Sequence, residues 1–556
     1  MNLRPALLFL GLVGLVPNVL AGVTINANVK EGDTISGDFT FRLTVESESL
    51  VSSCEFYVGN DLRETDDSTP YEFTIDTLAE QQGSISVTFA AYNKAGESSK
   101  KTFKLVIDNG FGMPIASHIE RGNDALSHSK WDEAIAAGRV ALKIDATSNA
   151  ARILMARANL GKGVLDLAQK YAEDAYAAAP GDSAVQSLLS SVMLKKAFNT
   201  YSKGGDKSES IAIVKASLVK AAETRRAALQ GAVDNFGPVD DSNRIKYCDV
   251  LLQAGRYSAI ASELDPLFQK DMKNNSVANR YLYALLRGGK FTRAAQVLDS
   301  IKKYGAHDGY GFGLRSCYSA YFGDIRAALD AEKDAILDDP TSLGVRTAQA
   351  YLALRRADTK TANNILGNLM NAEGHSPVVN YDVCALAFLV GDYSSAQERF
   401  QTTMLAEPAS YDALIERGNQ SMYYSLRTDM QDDADYGKRQ RALATAFFEA
   451  ALAAKPESFE ALTGMACAAL LDGKKDEAVK FGRAAVAAGP EYAAAQWAYC
   501  AALFESGRSD DAKAAAKAAA KLDPKGLDGL SYPTPQSAWQ YFYSKGRMPW
   551  LMDPGQ

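Results

Sequence analysis

Histidine is nearly missing from this chain. There are four in 556 residues (His118, His128, His307 and His375), and none lies beside another His or a Cys at metal-ligand spacing. No metal-site signature remains, and no metal ligand is assigned. Cysteine is scarce as well, with six scattered residues. Cys248, Cys317, Cys384, Cys467 and Cys500 are separated by long stretches, so they read as small buried packing residues rather than a disulfide framework. Cys467 and Cys500 form the one pair worth testing. No block of Lys and Arg stands out, the net charge is -7 and the pI is about 5.4. This balance argues against a nucleic-acid partner.

Motifs that carry chemistry are also lacking. No G-x-S-x-G, H-E-x-x-H or phosphate loop occurs. Gly309-Tyr310-Gly311-Phe312-Gly313 is Gly-rich but lacks the strand and the acidic residue of a dinucleotide site, so it reads as a loosened helix start. Asp429, Asp432, Asp433 and Asp435 do not have the spacing of a calcium loop. No catalytic residue and no cofactor is assigned, and an enzyme is the least favoured reading.

What the chain has is a stride. Ala294, Ala328, Ala362 and Ala396 stand 34 residues apart, with Ile260 one stride earlier. Ala444, Ala478 and Ala512 continue it, and Ala134 and Ala168 begin it. A period of this size marks stacked helical hairpins, each unable to bury both of its apolar faces alone.

The first 21 residues have the pattern of a secretory signal: Arg4, an apolar run of 11 residues from Ala6 to Val16, and Val19-Leu20-Ala21 as a cleavage site. Position 23 is Val, not the Cys of a lipid-anchored protein. No later segment is long and apolar enough to cross a membrane. The chain is therefore expected to be exported, to a periplasmic or extracellular, surface location.

Residues 22–108 change period. Phe39-Thr40-Phe41-Arg42-Leu43-Thr44-Val45 and Ser84-Ile85-Ser86-Val87-Thr88-Phe89 alternate apolar with polar, as half-buried strands do. Glu31-Gly32-Asp33 and Ser36-Gly37-Asp38 supply turns, and the whole suggests a β-sandwich. Cys54-Glu55-Phe56-Tyr57-Val58, Thr69-Pro70-Tyr71-Glu72-Phe73 and Ala90-Ala91-Tyr92-Asn93-Lys94-Ala95-Gly96 resemble strand motifs of bacterial Ig-like domains. That resemblance implies an adhesive or spacer module without catalysis. Cys54 stands where the pattern has an apolar residue. The linker 109–114, with two Gly and one Pro, is short enough to pack the sandwich near the first hairpin.

Residues 115–526 resemble the tetratricopeptide repeat family, which implies an all-α solenoid. The family has small residues at positions 8, 20 and 27 of each unit and Pro near position 32. Gly122, Ala134 and Ala141 match in 115–148; Ala156, Ala168, Ala175 and Pro180 match in 149–182. Five units fill 241–410, two more fill 459–526, and the insertions within 183–240 and 411–458 complete about eleven hairpins. Residues 527–556 read as a cap and an apolar tail.

The resemblance also implies a concave groove lined by positions 2, 5, 9, 12 and 13. Mapped onto 275–410 these give Asn279, Tyr283, Arg287, Tyr310, Tyr321, Thr347, Tyr351, Arg355 and Tyr381. Tyr and Arg are what interface hot spots use. The bland alternative is a row of tyrosines packed between helices. The family's carboxylate clamp is not reproduced, because Ile119 stands where a Lys would accompany Asn123.

Three functions fit. The first is an exported, non-enzymatic scaffold that binds proteins or peptides in a bacterial cell-envelope or surface assembly. The second is a self-associating subunit of an extracellular filament or surface layer. The third is an accessory factor in polysaccharide export, with polysaccharide as the partner. If the stride alanines mark close helix approaches, Ala328→Leu overpacks one of them. The expected cost is about 1–3 kcal/mol in urea denaturation, with the helical signal retained.

Overall fold

The computed structural model describes residues 22–203, 207–304, 308–373, 411–426, 435–524, 526 and 532–546. The signal segment, His307, His375, Cys384, Tyr381, Ala396, Asp429, Asp432, Asp433 and the apolar tail lie outside them. The chain divides into two compact units, 1–162 and 163–556.

The first unit begins with eight strands: β1 (Thr24–Ala27), β2 (Thr34–Ile35), β3 (Asp38–Glu46), β4 (Val51–Val58), β5 (Asp61–Asp66), β6 (Tyr71–Asp76), β7 (Gly83–Asn93) and β8 (Ser98–Ile107). They form a three-stranded sheet in the order β1-β3-β6 and a five-stranded sheet in the order β2-β8-β7-β4-β5. All pairings are antiparallel except β2 with β8. Period-2 alternation decides what is inside: Tyr71, Phe73 and Ile75 are buried while Glu72 and Thr74 face water. Phe41, Phe56, Phe73 and Phe89 meet between the sheets at centroid separations of 5.2–6.1 Å. Cys54 is wholly buried in this core as a free thiol, and burial pushes it up to about 11.

The same unit holds α1 (Ile115–Ser127), α2 (Trp131–Ile144) and α3 (Asn149–Lys162). Gly122 explains the demand for small residues. A Cβ there would stand 2.4 Å from the Leu154 side chain on α3. The sandwich is fixed to these helices by polar groups. Buried Asn109 accepts from the Gly37 backbone N–H at 2.9 Å and from Thr77 Oγ1 at 2.8 Å. His118 on α1 donates from Nε2 to the Gly110 carbonyl at 3.0 Å. Arg139 on α2 donates to Asp38 at 2.8 Å and to Asp76 at 2.5 Å, residues that face each other across β3 and β6.

The second unit is helical: α4 (Leu165–Ala178), α5 (Ser183–Ser202), α6 (Ser208–Asp234), α7 (Arg244–Gln253), α8 (Tyr257–Lys270), α9 (Asn275–Arg287), α10 (Phe291–Tyr304), α11 (Gly309–Tyr321), α12 (Ile325–Asp338), α13 (Leu343–Arg355), α14 (Thr359–Glu373), α15 (Tyr411–Ser425), α16 (Tyr436–Ala454), α17 (Phe459–Leu471), α18 (Lys475–Ala488), α19 (Ala493–Glu505), α20 (Ser509–Leu522) and α21 (Pro535–Ser544). Every described residue of the alanine stride, together with Ile260, has no exposed surface. Gly289 and Gly323 end α9 and α11 at φ +67° and +82°, the left-handed turn a side chain resists. The glycines of 309–313 allow close approach rather than ligand binding. A Cβ at Gly309 would lie 3.0 Å from Asp339, and one at Gly311 would lie 2.9 Å from Asn279. The described cysteines are all buried thiols outside any disulfide, Cys467 and Cys500 included.

Stacking in this unit does not follow chain order alone. The expected insertion within 183–240 becomes two long helices, and α6 lies along α16. Lys215 pairs with Glu449 at 2.6 Å, and Arg417 on α15 bonds the Tyr201 hydroxyl. The α5–α6 hairpin therefore rests on α15–α16, and α8 to α13 form a row from which α8, α9, α10 and α13 reach the later segments.

Arg139→Ala leaves the side-by-side Asp38 and Asp76 without their shared cation. We expect faster protease cleavage within 109–114 while the sandwich itself stays resistant. An unchanged cleavage rate by mass spectrometry would show that the joint is held elsewhere.

Candidate functional site

The groove residues of 275–355 belong to the row α9–α13, and their placement begins with helix capping. Asn274 caps α9 by accepting from the Val277 N–H at 3.2 Å. Asp308 caps α11 through the Gly311 N–H at 2.8 Å. Asn279 donates to both oxygens of Asp308, at 3.1 and 2.9 Å. It thus holds a cap in place. Tyr310 packs its ring on Gly344 of α13, 3.0 Å from where a Cβ would stand. Thr347 and Tyr351 are buried on α13.

Tyr283 and Arg287 enter a buried cluster. Arg287 is only 2 % exposed and pairs with Asp412 at the start of α15. Its guanidinium lies over two rings, 5.7 Å from the centroid of Tyr257 and 5.9 Å from that of Tyr411. Lys455 lies over the same rings, at 4.3 and 5.1 Å. Tyr283 meets Tyr257 edge-on at 6.3 Å. The Tyr411 hydroxyl donates to Glu460 at 2.9 Å and also bonds Ser458. Buried Arg287 and Glu460 therefore sit beside half-buried Asp412 and Lys455, so each buried charge has an opposite charge near it, the condition under which buried charge is tolerated.

Burial sets the titration of these groups. It pushes Glu460 up, with Arg287 opposing. It pushes Lys455 down to about 8, and Arg287 repels the ammonium further. The hydroxyls of Tyr257, Tyr283 and Tyr411 are raised by burial and stay protonated.

The contact continues along the row. Gly289 faces the Phe459 ring, and the Thr292 N–H donates to Glu491 at 2.6 Å. Tyr321 lies 5.8 Å from Phe291 and 4.9 Å from Phe322. Arg355 donates to the Ser544 carbonyl at 3.3 Å. Helices α9 to α13 thus turn their inner wall toward the chain's own later segments, and much of the expected open groove is filled from within.

Sequence reasoning missed Tyr257, Tyr411, Asp412, Lys455, Glu460 and Phe459. Two of them were within its reach. Asp412 and Glu460 stand at position 2 of the units beginning at 411 and 459, the offset that selected Tyr310. Tyr257 opens a second helix, and no inner-face offset points to it.

A second concavity lies in the first unit, a cleft of about 510 Å³ lined by Asp38, Asp108, Arg121, Asp132 and Glu133 among others. Its carboxylates are largely engaged: Asp38 by Arg139, Asp132 by Lys162 and Glu133 by Lys130. Among the described residues no group of three or more His, Cys, Asp or Glu could hold a metal ion, and no helix is long and apolar enough to cross a membrane.

Residues 23–88 match the bacterial Ig domain family, so the first domain is an Ig-like sandwich. No curated protein matches the chain. Among solved structures, yeast Tom70 aligns over 78% of this chain and 95% of its own at 12% identity and a TM-score of 0.31. The Cut9 assembly of APC/C covers 78% and 94% at 13% identity and a TM-score of 0.26. PilF of Pseudomonas aeruginosa covers 43% of this chain and 99% of its own at 17% identity and a TM-score of 0.21. At such overlap the repeat character rests on the array's own stride, burial and turns, which are those of a tetratricopeptide-like α-solenoid.

The lowered Lys455 gives a pH signature. Between about 8 and the ordinary 10.5 the native amine is neutral while the unfolded one is protonated. The unfolded state then binds more protons, so this group makes stability rise with pH. Relative to Lys455→Met, the wild-type unfolding free energy should climb by at most about 1.4 kcal/mol per pH unit across that window. Parallel urea curves at every pH would place the native amine in its charged form.

Proposed function

We propose that this protein is an exported, non-enzymatic scaffold that binds protein or peptide partners in a bacterial cell-envelope or surface assembly. The observation that carries the reading is the inner wall of α9 to α13, where Tyr and Arg side chains recur at positions 2, 9 and 13 of the units and meet helix ends from elsewhere in the chain. The Arg287 contact with Asp412 and the Arg355 contact with the Ser544 carbonyl are instances of that recognition within the molecule. The Ig-like domain supports a surface location, since such modules serve exported proteins. The pattern of residues 1–21 supports export.

Within the proposed groove (Asn279, Tyr283, Arg287, Tyr310, Tyr321, Thr347, Tyr351, Arg355 and Tyr381) the members with some exposure differ from those that are buried. Tyr310, Tyr321 and Arg355 are half-exposed, whereas Tyr283, Arg287, Thr347 and Tyr351 are buried. A partner meets the exposed parts of the first set, taking over the contact that Arg355 makes with Ser544, and reaches the second only by displacing the chain's own residues.

A photo-crosslinking side chain placed at Tyr310 in the native host tests this. A discrete adduct with one other envelope polypeptide, weakened by Tyr321→Ala with Arg355→Ala, is expected. Adducts with further copies of this chain alone would replace the scaffold by a filament or surface-layer subunit. Adducts that ignore both substitutions would remove the groove.

A further inference from the structure

Arg287 is buried, yet its charge is answered from 125 residues away, by Asp412. Tyr257 and Tyr411, one from each side of the contact, form the ring pair that both Arg287 and Lys455 overlie. Were Asp412 to leave, Arg287 and Lys455 would remain as two cations beside Tyr257 with Glu460 as the nearest carboxylate of the cluster. The wall therefore demands a carboxylate, and it holds an aromatic ring beside it.

The helix that supplies this pair is unusual. α15 buries Glu416, Arg417, Asn419, Gln420 and Ser421, a polar set in the interior. Among the described residues Asn419 Oδ1 and Ser421 Oγ have no hydrogen-bond partner. Tyr411 and Asp412, in its first turn, are half-buried, whereas Ala413 to Met422 behind them are buried. Next to it, α9 packs Val277, Ala278, Tyr281, Leu282, Leu285 and Leu286 inward. The wall is buried along α9, and the two residues that meet it stand at the half-exposed start of α15.

We propose that Tyr257, Tyr283 and Arg287 form a receptor for a carboxylate flanked by an aromatic ring, and that Tyr411–Asp412 fills it as an internal ligand which a partner segment of the same chemistry displaces. The inference deepens the scaffold reading, on which it rests for the existence of a partner. It names the chemistry recognised and makes occupation by α15 an autoinhibitory contact. A segment without an acidic residue leaves Arg287 unanswered and does not compete.

The test uses the purified full chain and a synthetic peptide copying residues 408–420, with a control peptide carrying Asn in place of the acidic residue that corresponds to Asp412. Hydrogen exchange of the wild-type chain is followed with millimolar peptide. Exchange at 411–425 should accelerate several-fold while 277–287 stays protected, and the control peptide should do nothing. In parallel, fluorescence anisotropy with labelled peptide compares wild type, Asp412→Asn, and Asp412→Asn with Arg287→Gln. Asp412→Asn should bind at least ten-fold more tightly than wild type, and loss of Arg287 should cancel the gain. Unaltered exchange at 411–425, or a gain that survives loss of Arg287, overturns the proposal. The exchange measurement needs no variant, so it decides even if Asp412→Asn fails to fold. No cellular partner enters, so a negative result removes the internal ligand and leaves the scaffold reading to the crosslinking experiment.

Discussion

A cation buried in an alanine-packed interior has to be answered, and Arg287 is the residue on which this constraint falls. Its guanidinium cannot reach water, so a carboxylate must be brought to it, and Asp412 is the one that arrives. Removing one partner of such a pair costs about 3–5 kcal/mol because the other charge is stranded. The pair therefore says less about net stability than about register. It admits one placement of the start of α15 against the end of α9, and through Tyr411 it fixes Ser458 and Glu460 as well. The interior of the second unit is arranged around that requirement.

Alanine packing explains why an ionic contact matters here. Small side chains at Ala294, Ala328, Ala362, Ala444, Ala478 and Ala512 let helix backbones approach closely, but each buries little apolar area. An array so built is held by many weak neighbour contacts, each set by local spacing. Contacts between rows distant in sequence have no such stride to define them. In this chain they fall to groups with direction and reach: Lys215 to Glu449, Arg287 to Asp412, the Thr292 N–H to Glu491 and Arg355 to the Ser544 carbonyl. Uniform packing makes the hairpins, and polar specificity decides how the rows meet.

The division between what sequence reveals and what it hides follows the same line. The stride was legible because a helix crossing tolerates little beyond a methyl group at Ala328 or Ala478, whatever the partner. Strand alternation in β3 and β7 was legible because period 2 is a local property of one segment. The linker's closeness to the first hairpin was inferred from its shortness, but the agents, Asn109 and Arg139, were not. Nothing local marks an arginine at 139 as the mate of aspartates at 38 and 76. The groove offsets name Tyr283 and Arg287 as candidate binding residues, with packing between helices as the alternative, and in the structure both are buried. An inner wall can be satisfied by the same chain, which no offset records, and the helix that meets Arg287 begins where the stride is interrupted at 411.

Self-occupation changes what a scaffold of this kind has to do. A partner gains only the difference between its own contacts and those it removes, so an internal contact acts as a threshold. It discriminates as well, because a ligand that binds the closed and open arrangements equally shifts nothing, however tightly it binds. A carboxylate requirement at Arg287, backed by Lys455 on the same two rings, rejects neutral segments by leaving charge unanswered. Specificity of this sort needs no deep pocket, which suits a wall built from helices too small-sided to form one. The tyrosines then have a double role: they surround the charges in the closed state, and they present flat, amphipathic surfaces to whatever replaces α15. The same residues can thus be both core and interface, and burial of Tyr283 in the resting protein does not exclude it from recognition.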